Sequence, residues 1–178
     1  IVNGVDYVDW DPARDRYIAA HFTAEKLDGK QKCRKDLLHA FGVSQVPETT
    51  PVMSIVSRFA TQKGFDLLAD SAERLLSHDV VLLVLGTGEP YYERLFSEVA
   101  DRYPGKVKVK VGYDNALAHK MEAGADIFLM PSRYEPCGMN QIYSLKYGTI
   151  PLVRATGGLE DTIDEKPMGE GNGFKFRG

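Results

Sequence analysis

The sequence predicts an α/β domain built on a doubly wound parallel sheet. Two observations support this fold class. Short apolar runs recur along the 178-residue chain, and amphipathic segments of helix length separate consecutive runs. Runs as uniformly apolar as Val80–Leu85 (VVLLVL) are typical of strands buried on both faces. We therefore expect helices on both faces of the sheet.

The first part of the chain is less regular. Ile1–Pro12 contains turn signals and reads as a connecting segment, Asp15–Gly29 shows little periodicity, and Gly29–Phe41 has the apolar spacing of a helix. The basic residues of this helix lie mostly off its apolar face, and we expect them to form a solvated face rather than a basic binding patch: Lys30, Lys32, Arg34 and Lys35. Residues 1–50 are interpreted as an interdomain connection with a lead-in helix, and residues 51–178 as the α/β domain.

From residue 51 strands and helices alternate. The predicted strands are Val52–Ser57, Val80–Leu85, Lys106–Val111, Ile127–Met130, Ile150–Val153 and Gly173–Phe176. The predicted helices are Gly64–Leu76, a segment carrying Leu95, Val99 and Tyr103, Ala116–Ala123, Gly138–Tyr147, and a short helix after Gly158.

Net charge, hydropathy and cysteine content argue against several classes of function and setting. A net charge of −3 gives no reason to expect a nucleic acid as partner. No apolar run approaches the roughly 18 residues of a membrane span, and no secretory signal is visible, although the chain does not begin with Met. Cys33 and Cys137 form neither a disulfide framework nor a metal motif, so we expect a reduced, cytoplasmic setting.

Glu135 lies where we expect a ligand cleft. The carboxyl ends of parallel strands meet at one edge of a sheet, so the loops Ser132–Cys137 and Arg154–Gly158 are expected to face the same cleft. Backbone N–H groups at the following helix start can bind hydroxyl or phosphate oxygens. The alternative is that Glu135 is only a first-turn acid that favours the helix dipole.

Two cations follow the first strand of the sheet. An anion in this loop would meet Arg58, Lys63 and a helix N-terminus together, which suits a diphosphate. Two solvated surface cations are the alternative. The next loop, Gly86–Gly88, would need a glycine at position 91 for a dinucleotide fingerprint, but Tyr91 stands there, so a nicotinamide oxidoreductase is disfavoured. The glycines of this loop then either allow a nucleotide to approach the backbone closely or simply form a tight turn.

Other candidates have ordinary interpretations as well. Cys137 lies near a helix start but has no evident partner base, so we interpret it as a small residue packed in a tight loop. Tyr113 is either a stacking platform for a base or a surface tyrosine. The motif Asp9–Asp11 lies outside the predicted sheet, so no bound divalent ion is implied.

Two long segments resemble one family. Ser57–Leu68 (SRFATQKGFDLL) and Val111–Thr162, together with the NGVD opening, closely resemble bacterial glycogen synthase and plant starch synthase. These are retaining, ADP-glucose-dependent glycosyltransferases of the GT-B fold, which has two Rossmann-like domains. The resemblance implies that this chain is the C-terminal, nucleotide-sugar-binding domain, and that the N-terminal domain is absent from it.

The resemblance also assigns roles to residues. Arg58 and Lys63 correspond to the pair that holds the ADP phosphates and stabilises the leaving group. Glu135 corresponds to the first acid of the E-x7-E motif, which contacts the glucose hydroxyls; Tyr143 stands in place of the second acid. The implied substrate-binding residues are Cys137 and Gly138 beside the sugar, Thr156, Gly157 and Gly158 near the distal phosphate and ribose, and Tyr113 at the adenine.

The implied activity is transfer of glucose from ADP-glucose to the non-reducing end of an α-1,4-glucan with retention, without a metal ion or other cofactor. The glucan would bind through the N-terminal domain, so this chain alone is expected to bind donor but to catalyse poorly. The setting would be the cytoplasm, or the plastid in a plant. A non-catalytic nucleotide-sugar or glycan-binding module and a UDP-glucose-dependent transferase are the alternatives.

Overall fold

The computed structural model describes residues 4–167 and 170–177. The strands are β1 Val52–Val56, β2 Val81–Gly86, β3 Val107–Val111, β4 Ile127–Met130, β5 Ile150–Arg154 and β6 Phe174–Phe176. The helices are α1 Asp28–Ala40, α2 Phe65–Leu76, α3 Pro90–Arg102, α4 Asn115–Gly124, α5 Asn140–Lys146 and α6 Gly157–Thr162. A short 3-10 turn, Thr61–Lys63, precedes α2. Every strand and helix predicted from the sequence is present.

The six strands form one parallel sheet in the order β3-β2-β1-β4-β5-β6. The predicted α/β fold class is confirmed as a Rossmann-like sheet. The chain runs outward from β1 to β3, then crosses back to place β4 on the other side of β1. The loops that follow β1 and β4 are therefore neighbours at a switch point, where open α/β sheets bind ligands.

Alternation along the strands divides the core between two faces. Met53 and Ile55 of β1 pack with α2 and α3, whereas Val52 packs with α1 and α4 on the opposite face. The same period of two continues in β4, where Leu129 joins the α2 side and Phe128 joins a cluster with α6. Both faces of the central strands are thus covered, as the sequence predicted.

Two basic side chains of α1 point inward, so the expected solvated face is wrong for them. The Lys30 ammonium donates to the Tyr147 carbonyl oxygen at 3.0 Å and the Thr149 hydroxyl at 2.8 Å. The Arg34 guanidinium binds the Asp126 carboxylate and donates to the Thr50 carbonyl oxygen at 2.5 Å. Both satisfy the carbonyls of loops that abut α1, a role that polar periodicity alone does not reveal.

The segment before α1 is held by a buried polar and aromatic cluster. The Asp15 carboxylate accepts hydrogen bonds from His119 Nδ1 at 2.8 Å and from the Tyr147 hydroxyl at 2.6 Å. The Trp10 ring stacks against His119 and Tyr143, with ring centroids 3.7 and 4.1 Å apart. These contacts attach the irregular lead-in residues to α4 and α5.

Candidate active site

A cleft of about 220 Å³ lies at the carboxyl ends of β1 and β4. It is bounded by the loop after β1, the turn before α2 and the loop between β4 and α5. Its lining residues are Ile55, Val56, Ser57, Arg58, Lys63, Leu129, Met130, Pro131, Ser132, Glu135, Gly138, Met139 and Asn140. This is the position expected from the sheet topology, with an apolar floor and a charged rim.

Lys63 and Glu135 form an ion pair across this cleft. The Lys63 ammonium lies 2.5 Å from Glu135 Oε2, and the Ser132 hydroxyl donates to the same carboxylate oxygen at 3.1 Å. The two side chains are only 23% and 9% exposed, so solvent screens their attraction less than on an open surface. The Glu135 carboxylate is therefore held in place in the cleft by two hydrogen-bond donors, Lys63 and Ser132.

The turn that carries Lys63 is locked to the loop that carries Glu135. The Gln62 side-chain amide donates to the Tyr134 carbonyl oxygen at 3.1 Å, and the Arg133 backbone N–H donates to the Gln62 carbonyl oxygen at 2.9 Å. These reciprocal bonds join the two loops directly. They fix the distance between a cation from one loop and a carboxylate from the other.

Arg58 supplies a second cation at the cleft. It follows the end of β1 and its side chain is exposed. Within the part of the chain that the structure describes, its guanidinium has no hydrogen-bond or ionic partner. A guanidinium presents several donors in a planar fork that matches phosphate oxygens, so Arg58 is ready to bind an anionic ligand.

The first two residues of α6, Gly157 and Gly158, pack against the backbone of the Glu135 loop. The Gly158 backbone N–H donates to the Glu135 carbonyl oxygen at 3.0 Å, and a Cβ at Gly158 would lie 2.5 Å from Cys137 Cα. Gly157 approaches the Glu135 carbonyl as closely, because its own added Cβ would meet that oxygen at 2.2 Å. Both glycines are needed because two backbones touch here.

Comparisons with known proteins show the family to which this chain belongs. The family signature described as "Glycosyl transferases group 1" matches residues 39–176, most of the chain. The chain belongs to the group 1 glycosyl transferases. Among named relatives, the glycogen synthase of Koribacter versatilis (strain Ellin345) is 56% identical over 179 residues, covering 99% of this chain and 36% of the relative. Glycogen synthase 1 of Geobacter metallireducens is 51% identical, covering 99% and 35%.

A solved structure agrees with these matches. The catalytic domain of starch synthase IV from Arabidopsis thaliana, determined with ADP and acarbose bound, superposes with a TM-score of 0.92 at 33% identity. That match covers 100% of this chain and 38% of the other. The chain thus spans a little more than a third of the length of the relatives it matches. The predicted GT-B type of Rossmann-like fold is confirmed.

Within this glycosyl transferase, four of the predicted site residues line the cleft: Arg58, Lys63, Glu135 and Gly138. Cys137 is half-buried, and its carbonyl accepts a hydrogen bond from the Gln141 side chain at 3.0 Å, as expected for a residue packed in a tight loop. The other predicted residues lie farther along the same sheet edge. Thr156, Gly157 and Gly158 follow β5, whereas Tyr113 follows β3 and is 88% exposed.

The glycine loop after β2 is a closely packed, internally capped turn. The Gly88 backbone N–H and the Thr87 hydroxyl both donate to the Glu93 carboxylate, at 3.0 and 2.8 Å. A Cβ at Gly88 would lie 2.2 Å from the Phe59 carbonyl oxygen. Of the two sequence interpretations, the structure therefore favours a tight turn, since a carboxylate already binds its donors.

Sequence reasoning missed the polar cleft residues Ser57, Ser132 and Asn140, and the last two make hydrogen bonds within the site. Ser132 donates to Glu135, and the Asn140 side-chain amide donates to the Val56 carbonyl oxygen at 3.0 Å, joining α5 to the end of β1. Their positions just after β4 and at the start of α5 were the available signal, because strand ends and helix starts border the ligand crevice. Serine and asparagine occur at many surface positions, so the residue types alone did not indicate a site.

The described residues contain neither a metal-binding cluster nor a membrane-spanning helix. No group of three or more His, Cys, Asp or Glu side chains there is arranged to hold a metal ion. Among the same residues, no helix has the length and apolar character needed to cross a membrane.

Proposed function

We propose that the chain is the donor-binding domain of a glycogen or starch synthase, which transfers glucose from ADP-glucose to the non-reducing end of an α-1,4-glucan with retention. The observation that carries the proposal is the convergence of Arg58, Lys63 and Glu135 on one cleft at the sheet switch point. Relatives named glycogen synthase, and a starch synthase solved with ADP, support this donor.

Each cleft residue has a chemical task in this proposal. Arg58 and Lys63 bind the diphosphate and neutralise the charge that develops as it leaves, which a partly buried site makes effective. Glu135 accepts hydrogen bonds from glucose hydroxyls and orients the sugar. Charge stabilisation is assigned to these two cations, so the proposal requires no metal ion.

The remaining predicted residues are each assigned to one part of the donor. Cys137 and Gly138 are assigned to the sugar, Thr156–Gly158 to the distal phosphate and ribose, and Tyr113 to the adenine face. The glucan acceptor is assigned to a domain outside this chain, and the reaction to the cytoplasm. Chemistry in this proposal therefore requires both domains, whereas donor binding requires only this one.

Calorimetric titration with ADP, ADP-glucose, UDP-glucose and NADH tests the proposal. We expect binding of ADP-glucose and ADP, weaker binding of UDP-glucose, and none of NADH. Arg58→Ala or Lys63→Ala should weaken ADP-glucose binding about tenfold or more, because each removes a charge-assisted contact to phosphate.

Matched controls are the exposed cations Arg94 and Lys32, which lie on α3 and α1 outside the cleft lining. Their alanine variants should bind ADP-glucose like the unchanged chain. Equal affinity for all four ligands, or cleft variants that behave like the controls, would refute the proposed function.

A further inference from the structure

In the cleft, the side chains of Lys63 and Glu135 bind each other. The ammonium that would bind phosphate is already 2.5 Å from a carboxylate oxygen. Arg58 carries the remaining cationic charge of the lining. A diphosphate that approaches Lys63 must therefore compete with Glu135 for the same ammonium.

This competition depends on what the ligand offers to Glu135. A carboxylate that is only 9% exposed is costly to leave without donors. A nucleotide sugar brings hydroxyl donors that can replace the ammonium at Glu135. A free nucleoside diphosphate has no sugar beyond its terminal phosphate, so it brings no hydroxyl to replace the ammonium at Glu135.

We propose that Glu135, through its ion pair with Lys63, is a specificity-determining residue that favours the nucleotide sugar over the free nucleoside diphosphate. The inference rests on the proposed function and deepens it. While the sugar is attached to the nucleotide, its hydroxyls compensate Glu135 for the loss of the ion pair. Once the sugar has been transferred, nothing replaces the Lys63 ammonium at Glu135. The same pair thus promotes release of the nucleoside diphosphate product.

The test compares dissociation constants for ADP and ADP-glucose in the unchanged chain and in Glu135→Gln. Without the carboxylate, Lys63 is available at no cost, so ADP should bind about fivefold more tightly. ADP-glucose should bind no more tightly, because an acceptor for its hydroxyls is lost. The control is Asp36→Asn, which removes an equal charge from a 2.9 Å pair with Lys120 outside the cleft and should change neither constant.

A double-mutant cycle separates competition for Lys63 from general repulsion. In a Lys63→Ala background, Glu135→Gln should tighten ADP binding much less than it does alone. An equal gain in both backgrounds, or ADP binding that is unchanged or weaker in Glu135→Gln, overturns the inference.

A comparison that leaves Glu135 intact provides a second route. Arg58→Ala should weaken ADP binding more than Lys63→Ala does, since only Lys63 must first leave a carboxylate. Equal losses count against the inference even if the Glu135 variant fails to fold. Absence of ADP-glucose binding in the unchanged chain would instead refute the proposed function, and this inference with it.

Discussion

At Gly64, two independent constraints act on one residue next to Lys63. Its φ is +72°, in the left-handed region, and an added Cβ would lie 2.0 Å from the Pro131 carbonyl oxygen. Gly42 has a similar φ of +65° but open space around its Cβ position. Comparing the two positions separates backbone strain from steric collision.

We therefore expect Gly64→Ala to lower the free energy of unfolding by about 2 kcal/mol or more, because strain and collision add. Gly42→Ala should cost only about 1 kcal/mol, from the left-handed conformation alone. Urea denaturation gives both values. Because relief of the collision moves Lys63, Gly64→Ala should also weaken ADP-glucose binding, whereas Gly42→Ala should not. Equal unfolding costs would contradict the assigned collision.

Among the elements, α4 carries an ionisable side chain into the interior. Glu122 is buried between α4 and α5, and its carboxyl accepts a hydrogen bond from the Ser144 hydroxyl at 2.7 Å. Burial raises the pKa of Glu122 to about 8. The facing Lys30 ammonium is also desolvated by burial, which lowers its pKa to about 8.

The sign of the pH effect at Glu122 follows from proton binding. The folded protein keeps this proton up to a pH of about 8, whereas the unfolded chain releases it near 4.5. The unfolded state therefore binds fewer protons within this window, and stability falls as the pH rises through it. Glu122→Gln cannot ionise, yet its side-chain oxygen can still accept the Ser144 hydroxyl.

Glu122→Gln should match the unchanged chain in stability at pH 4, below the ordinary pKa of the carboxyl, and exceed it by about 1 kcal/mol or more at pH 7.5. Thermal unfolding at the two pH values measures the difference. The exposed Glu98 on α3 provides the control, since Glu98→Gln should leave the pH profile unchanged. A Glu122→Gln profile parallel to that of the unchanged chain would show that this carboxyl is ionised in the folded state.

The elements differ in how well the sequence predicts them. The central strands of the sheet are predictable because burial on both faces requires nearly continuous apolar runs, such as the one in β2. The position of the cleft follows from the same argument, because parallel strands end at one edge. The Lys63–Glu135 pair, by contrast, joins loops 72 residues apart. No local pattern encodes such a contact.

For the whole molecule, the lead-in residues are the part that periodicity failed to describe. They attach through Asp15, Trp10 and the partners His119, Tyr143 and Tyr147, a cluster of hydrogen bonds and stacked rings rather than an apolar stripe. Burial raises the pKa of Asp15, but hydrogen bonds from His119, Tyr147 and the Tyr17 backbone together outweigh burial and hold that pKa below its ordinary value. The cluster joins the start of the chain to helices that follow β3 and β4.

We therefore expect the lead-in segment and the sheet to unfold in one transition. Trp10 is the only tryptophan of the chain, so its fluorescence reports the lead-in segment, whereas far-UV circular dichroism reports all helices and strands. The two melting curves should coincide, which is the test of cooperative unfolding.

Asp15→Asn, which weakens a buried hydrogen-bonded charge, should lower both midpoints together by several degrees. The exposed Asp101→Asn on α3 should lower neither. A fluorescence transition well below the circular dichroism transition would show that residues 1–50 are a separate unit, attached to the domain rather than part of its cooperative core.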